Sequence, residues 1–145
     1  MNYLEKFYDA VKKEMTAVLA TSAEGSVTMR VVSPVYYEGD ILIFTSAGSR
    51  KYNQLKENPN CCISAGCCFA EAAAEFFGGT MLDENQNMRD AYTEKFPEAF
   101  DESVEFGGRY AEFILLHPTR ISGWAFENDI PVPGGVPTVP FEIDL

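Results

Sequence analysis

Ile43-Phe44-Thr45-Ser46-Ala47-Gly48-Ser49-Arg50-Lys51 brings a strand end, a small-residue turn and a helix start together in one short stretch. The β-forming residues stop at Thr45, Gly48 permits a tight turn, and Ser49 stands where a helix beginning at Arg50 needs a hydroxyl cap. A helix start offers unpaired backbone amides at the positive end of its dipole. With a serine hydroxyl and two cationic side chains added, it becomes an anion site suited to a phosphate monoester. The competing reading is a capped helix with an exposed basic first turn, although cations at that end oppose the dipole. The glycine and lysine spacing of a Walker loop is absent.

Outward from this stretch the chain alternates short β-rich runs with helical periodicity. Residues 16–21, 27–37 and 41–45 read as antiparallel strands, and Glu24-Gly25 and Glu38-Gly39-Asp40 supply the turns of a meander. Ahead of them Leu4, Phe7, Tyr8, Val11 and Met15 recur at helical spacing, so an amphipathic helix opens the chain. Beyond the central helix, which Asn58-Pro59 ends, residues 61–68 and 72–80 read as strands; the Glu71–Glu75 stretch also has helical propensity. Residues 83–96 form a helix with Met88, Ala91, Tyr92 and Phe96 inward, and residues 109–116 and 119–126 are strands joined at His117-Pro118. This predicts an α+β, mainly β chain: a six-stranded antiparallel split barrel over residues 1–127 with flanking helices. Residues 128–145 form an extended tail, since four prolines and two glycines exclude regular helix or a central strand.

The 145 residues are 46% hydrophobic and suffice for a core without staples, and the first fifteen are too charged for a signal peptide. A cytoplasmic protein with reduced thiols is expected; the adjacent pairs Cys61-Cys62 and Cys67-Cys68 do not suggest a disulfide framework. A net charge of −11 argues against nucleic acid or an anionic membrane as partner. In so acidic a chain Arg50-Lys51 calls for a local reason, such as a small anionic ligand. The cysteine spacing does not suit zinc, and His117, the single histidine, has no serine, cysteine or carboxylate at a catalytic spacing.

From about Met15 to Trp124 the chain resembles the pyridoxamine 5′-phosphate oxidase-like family of FMN-binding split barrels. Arg30-Val31-Val32-Ser33 is similar to the family's arginine-led strand, whose arginine reaches the FMN phosphate and whose backbone borders the flavin. Phe44-Thr45 with Ser49-Arg50-Lys51 resembles its phosphate-binding turn, and Pro118-Thr119-Arg120-Ile121 through Trp124 its closing strand, where the tryptophan lies near the flavin. The resemblance implies FMN as cofactor, a homodimer with flavin at the subunit interface, and a small-molecule substrate or nicotinamide electron donor. The alternatives are a flavin carrier or redox sensor without catalysis, or haem or another flat cofactor in the same cleft. Two departures bear on substrate. Ala73 stands where some members carry a flavin-binding glutamine, and Ala125-Phe126-Glu127-Asn128-Asp129 lacks the arginine and histidine that hold pyridoxamine 5′-phosphate. The cofactor half of the site is retained and the vitamin half lost, and no side chain is marked as an acid or base.

Overall fold

The computed structural model describes residues 2–105 and 107–145. Asn2 caps the first helix, α1 (Tyr3–Lys13), which buries Phe7 and Val11. β1 (Ala17–Ala23) and β2 (Ser26–Val32) form one hairpin, β3 (Val35–Tyr37) and β4 (Asp40–Thr45) a second. Both turns use two consecutive left-handed residues, Glu24-Gly25 and Glu38-Gly39, the geometry that matches strand twist. After α2 (Arg50–Glu57) come β5 (Asn60–Ala65), β6 (Cys68–Gly79), α3 (Gln86–Lys95), β7 (Glu112–Ala125) and β8 (Val139–Asp144).

All pairings are antiparallel, in the order β2-β1-β5-β6-β7-β4-β3, with β8 also on β7. The α+β split-barrel class therefore holds, with eight strands rather than six. The expected meander does not form. The run 27–37 breaks at Ser33-Pro34, and its halves lie on opposite edges of the sheet. Three Cα steps from Val32 to Val35 span at most roughly 11 Å, so the sheet must curl until its two edges face one another across a split. The run 61–68 likewise breaks at the Gly66-Cys67 turn, whereas residues 71–75 are strand throughout. The two runs expected on either side of His117-Pro118 fuse into β7, because register shifts against β6 absorb a proline that cannot donate to the ladder. Residues 83–85 form a 3-10 turn ahead of α3. In the tail, β8 pairs with β7 from Arg120 to Ala125 as an edge strand.

Two apolar cores result. One fills the barrel with Leu19, Val32, Ile43, Ile63, Ile114 and Ile121, closed by Phe7, Val11 and Leu55 from the helices. The second lies outside the sheet, where Met88 and Tyr92 of α3 cover Val35, Leu42, Phe113 and Leu115. The four cysteines are unbridged. Among the described residues no helix is long and apolar enough to cross a membrane.

Candidate functional site

Thr28, Arg30 and Val32 alternate along β2, so the three side chains share the barrel's inner face. Arg30 reaches across β1: its Nη1 donates to the Leu19 carbonyl at 3.1 Å and to Thr21 Oγ1 at 2.7 Å, and its Nη2 donates to Thr28 Oγ1 at 2.5 Å. Gln54, buried on the inner face of α2, completes the support. Its Oε1 accepts the Thr21 hydroxyl at 2.5 Å and the Thr28 hydroxyl at 2.6 Å. Both threonines thus pass hydrogen bonds between helix and guanidinium. Sequence reasoning overlooked Gln54 and the threonines. The signal was available, because Gln54 follows Arg50 and Lys51 at helical spacing and Thr28 sits two residues before Arg30.

At the start of α2, Ser49 Oγ accepts the Tyr52 amide at 3.4 Å and lies 2.9 Å from Thr45 Oγ1, tying the cap to the end of β4. Gly48 holds the left-handed conformation needed just before it. Arg50 is exposed and Lys51 half-buried. Burial lowers the pKa of Arg30, and the charge of Arg50 lowers it further. Lys51 is lowered in the same way, by burial and then by Arg30. Arg30 thus lies close enough to both Arg50 and Lys51 for their charges to act on each other. Among the described residues none has a carboxylate partner, in a chain with twice as many acidic as basic side chains. Cations placed this close without an internal counter-charge have the chemistry to hold an anion.

The remaining candidates divide. Val32 is buried beside Arg30, while Val31 points outward and Ser33 is exposed at the end of β2, its carbonyl accepting the Tyr92 hydroxyl at 2.6 Å. Phe44 faces away from the cations, its ring 4.8 Å from that of Tyr92 in the outer core. Trp124 is half-exposed near the end of β7, twelve residues beyond Glu112, the partner of Thr45. The structure thus brings Arg30, Thr45, Ser49, Arg50 and Lys51 together, whereas Trp124 stands at the opposite end of β7 from the residue that pairs with Thr45. Beside Ser33 and Phe44 opens a cavity of about 460 Å3 that runs beneath the end of α3.

A family model described as pyridoxamine 5′-phosphate oxidase matches residues 4–124. Among solved structures, a FAD-binding protein from Mesorhizobium loti is 15% identical with a TM-score of 0.66, over 85% of this chain and 94% of that one. The general stress protein 26 of Bacillus anthracis is 16% identical with a TM-score of 0.61, over 83% and 92% of the two chains. A heme binding protein from Mycobacterium smegmatis is 16% identical with a TM-score of 0.64, over 84% of this chain but 53% of that one. At these identities the likeness concerns the fold. No curated protein matches the sequence.

Proposed function

The chain belongs to the pyridoxamine 5′-phosphate oxidase family, and from that premise we propose that it is a cytoplasmic FMN-dependent oxidoreductase, homodimeric, with a substrate other than pyridoxamine 5′-phosphate. The observation that carries this reading is the cluster of Arg30, Arg50 and Lys51, in which the charge of Arg50 bears on Arg30 and that of Arg30 on Lys51, without a carboxylate partner among the described residues. A phosphate monoester would supply the missing charge, accept the one O–H that the Thr45–Ser49 pair leaves free, and meet the start of α2. Arg30 would orient the phosphate through its fixed guanidinium. Lys51 and Arg50 would add charge, and the β2 edge from Val31 to Ser33 would border the ring. Bound FMN would supply the redox chemistry; the protein's share is binding, orientation and exclusion of water.

The cavity beside Ser33 continues from that edge and is where a substrate would approach the ring. The second subunit would supply what one chain lacks. Val27, Met29 and Val31 point outward from β2 at 74%, 70% and 64% exposure, and Phe69 and Trp124 are also exposed, an apolar face for a second copy. A haem reading is less well supported, since the sole histidine is held between two carboxylates and has no free nitrogen for an iron. The test is the absorption spectrum of the purified protein, mass spectrometry of the cofactor released by heat, and the rate at which NADH or NADPH reduces it. A protein that retains no flavin when offered FMN overturns the reading. One that binds FMN yet turns over no acceptor is a carrier or sensor.

A further inference from the structure

The cavity beside Ser33 has walls that select for charge. Its one cation, Lys95, has three N–H donors, and all three are engaged: the Nζ donates to the main-chain carbonyls of Val11 at 2.7 Å, Glu14 at 2.6 Å and Pro34 at 2.6 Å. Lys95 has no N–H left to grip an anionic substrate, and the one side-chain donor remaining on the wall is the neutral hydroxyl of exposed Ser33. The Tyr92 hydroxyl is likewise committed to the Ser33 carbonyl. The remaining charge on the wall is the exposed carboxylate of Glu98, which repels anions.

What the cavity does offer is aromatic surface. The Phe44 and Tyr92 rings lie 4.8 Å apart and those of Tyr92 and Phe96 5.4 Å apart, with Met15 at the mouth. Such walls gain from flat apolar molecules by burial and ring packing, and they cannot repay the desolvation of a charged group. We propose that this cavity admits an uncharged aromatic molecule and discriminates against phosphorylated or carboxylated substrates. The assignment of that molecule as substrate rests on the flavin reading; its chemical class rests on the cavity alone.

The experiment uses two probes on one ring system, 2-naphthol and 2-naphthyl phosphate, titrated by probe fluorescence against full-length protein saturated with FMN so that the cationic clamp is filled. The expected result is that 2-naphthol binds at least about tenfold more tightly than 2-naphthyl phosphate. Met15 is exposed and outside any helix or strand, so Met15→Arg adds a free cation at the mouth without disturbing the core. This variant should narrow the ratio by raising affinity for the phosphate probe, while Met15→Leu leaves it unchanged. Equal binding of the two probes, preference for the phosphate, no binding of either, or an unaltered ratio in Met15→Arg overturns the proposal. Failure of the flavin reading registers separately, as no retention of FMN; 2-naphthol binding is then measured on the cofactor-free protein.

Discussion

The imidazole of His117 is held between two carboxylates, its Nε2 2.8 Å from Glu75 on the adjacent strand and its Nδ1 3.0 Å from Asp40 at the start of β4. With an acceptor at each nitrogen the ring is favoured in its doubly protonated form. Burial pushes its pKa down, but the hydrogen bonds and charges of Glu75 and Asp40 outweigh burial and hold it above the ordinary value. The clamp spans β4, β6 and β7 at the point where Pro118 and its bulge weaken the ladder.

A pH dependence of stability follows. Because the folded pKa is raised, the clamp's contribution is full below the unfolded value of 6.5 and is lost as pH rises through the higher folded value. His117→Gln should therefore destabilise the protein at about pH 5.5 and matter little at about pH 9, by about 0.5–1 kcal/mol after discounting for solvent screening of the half-exposed ring. Thermal melts of both proteins at the two pH values provide the check. A penalty that grows with pH would reverse the sign and discard the argument.

Arg50→Ala should weaken FMN binding by about ten- to a hundredfold, since a charge-assisted hydrogen bond is worth roughly 1.5–3 kcal/mol. Riboflavin has no phosphate, so its affinity should barely change. Raised salt should erode FMN binding to the native protein more than riboflavin binding. Fluorescence-quenching titrations of both flavins on both proteins decide it. Equal affinities for the two flavins in the native protein would reduce Ser49-Arg50-Lys51 to an ordinary exposed helix start.

Gln54 is predicted to act on the cofactor through Arg30. Gln54→Glu keeps the acceptor for Thr21 and Thr28 but brings a negative charge to the support of the guanidinium. The variant should fold and yet bind FMN about tenfold or more weakly, because an internal carboxylate competes with the phosphate. Gln54→Leu instead orphans two hydroxyls and should cost about 1–3 kcal/mol of stability. Melting curves beside FMN titrations separate the two. An unchanged FMN affinity in Gln54→Glu would detach Gln54 from the site.

What the sequence made legible was local. The cap at Ser49, the turns at Gly25 and Gly39 and the apolar stripe of α1 as far as Val11 each follow from a few neighbouring residues and stand in the structure, whereas Met15, expected to continue the stripe, lies beyond the helix and is exposed. What it left obscure was long-range. Residues 27–37 read as one strand across Pro34, and nothing nearby indicated that β2 and β3 would part to opposite edges of the sheet. Gln54 stands at helical spacing from Arg50 and Lys51, but its hydrogen-bond partners Thr28 and Thr21 lie 26 and 33 residues away, so the network itself was not legible. Pro118 looked like a strand end because the bulge that accommodates it depends on β6. The outward alternation of Val27, Met29 and Val31 was visible as sequence, but its exposure became clear only once β2 proved to be an edge.

That exposed edge gives the last prediction. A methionine at 70% exposure between Val27 and Val31 gains about 1.5–3 kcal/mol if a second copy covers it. Met29→Glu would bury an unpaired charge at the same place, in a chain already carrying −11, and should leave the single-chain fold intact while driving the protein to monomer. Light scattering should then report twice the mass of one chain for the native protein and the mass of one chain for the variant. The flavin supplies a second readout. Trp124 is the only tryptophan and lies twelve residues along β7 from Glu112, the partner of Thr45, so in the dimer proposal the flavin beside it is the partner's. FMN should quench tryptophan fluorescence strongly in the native protein and weakly in Met29→Glu, even at concentrations that saturate both. A native protein that is monomeric while holding FMN would end the dimer proposal. Equal quenching in a monomeric variant would place Trp124 near the flavin of its own chain.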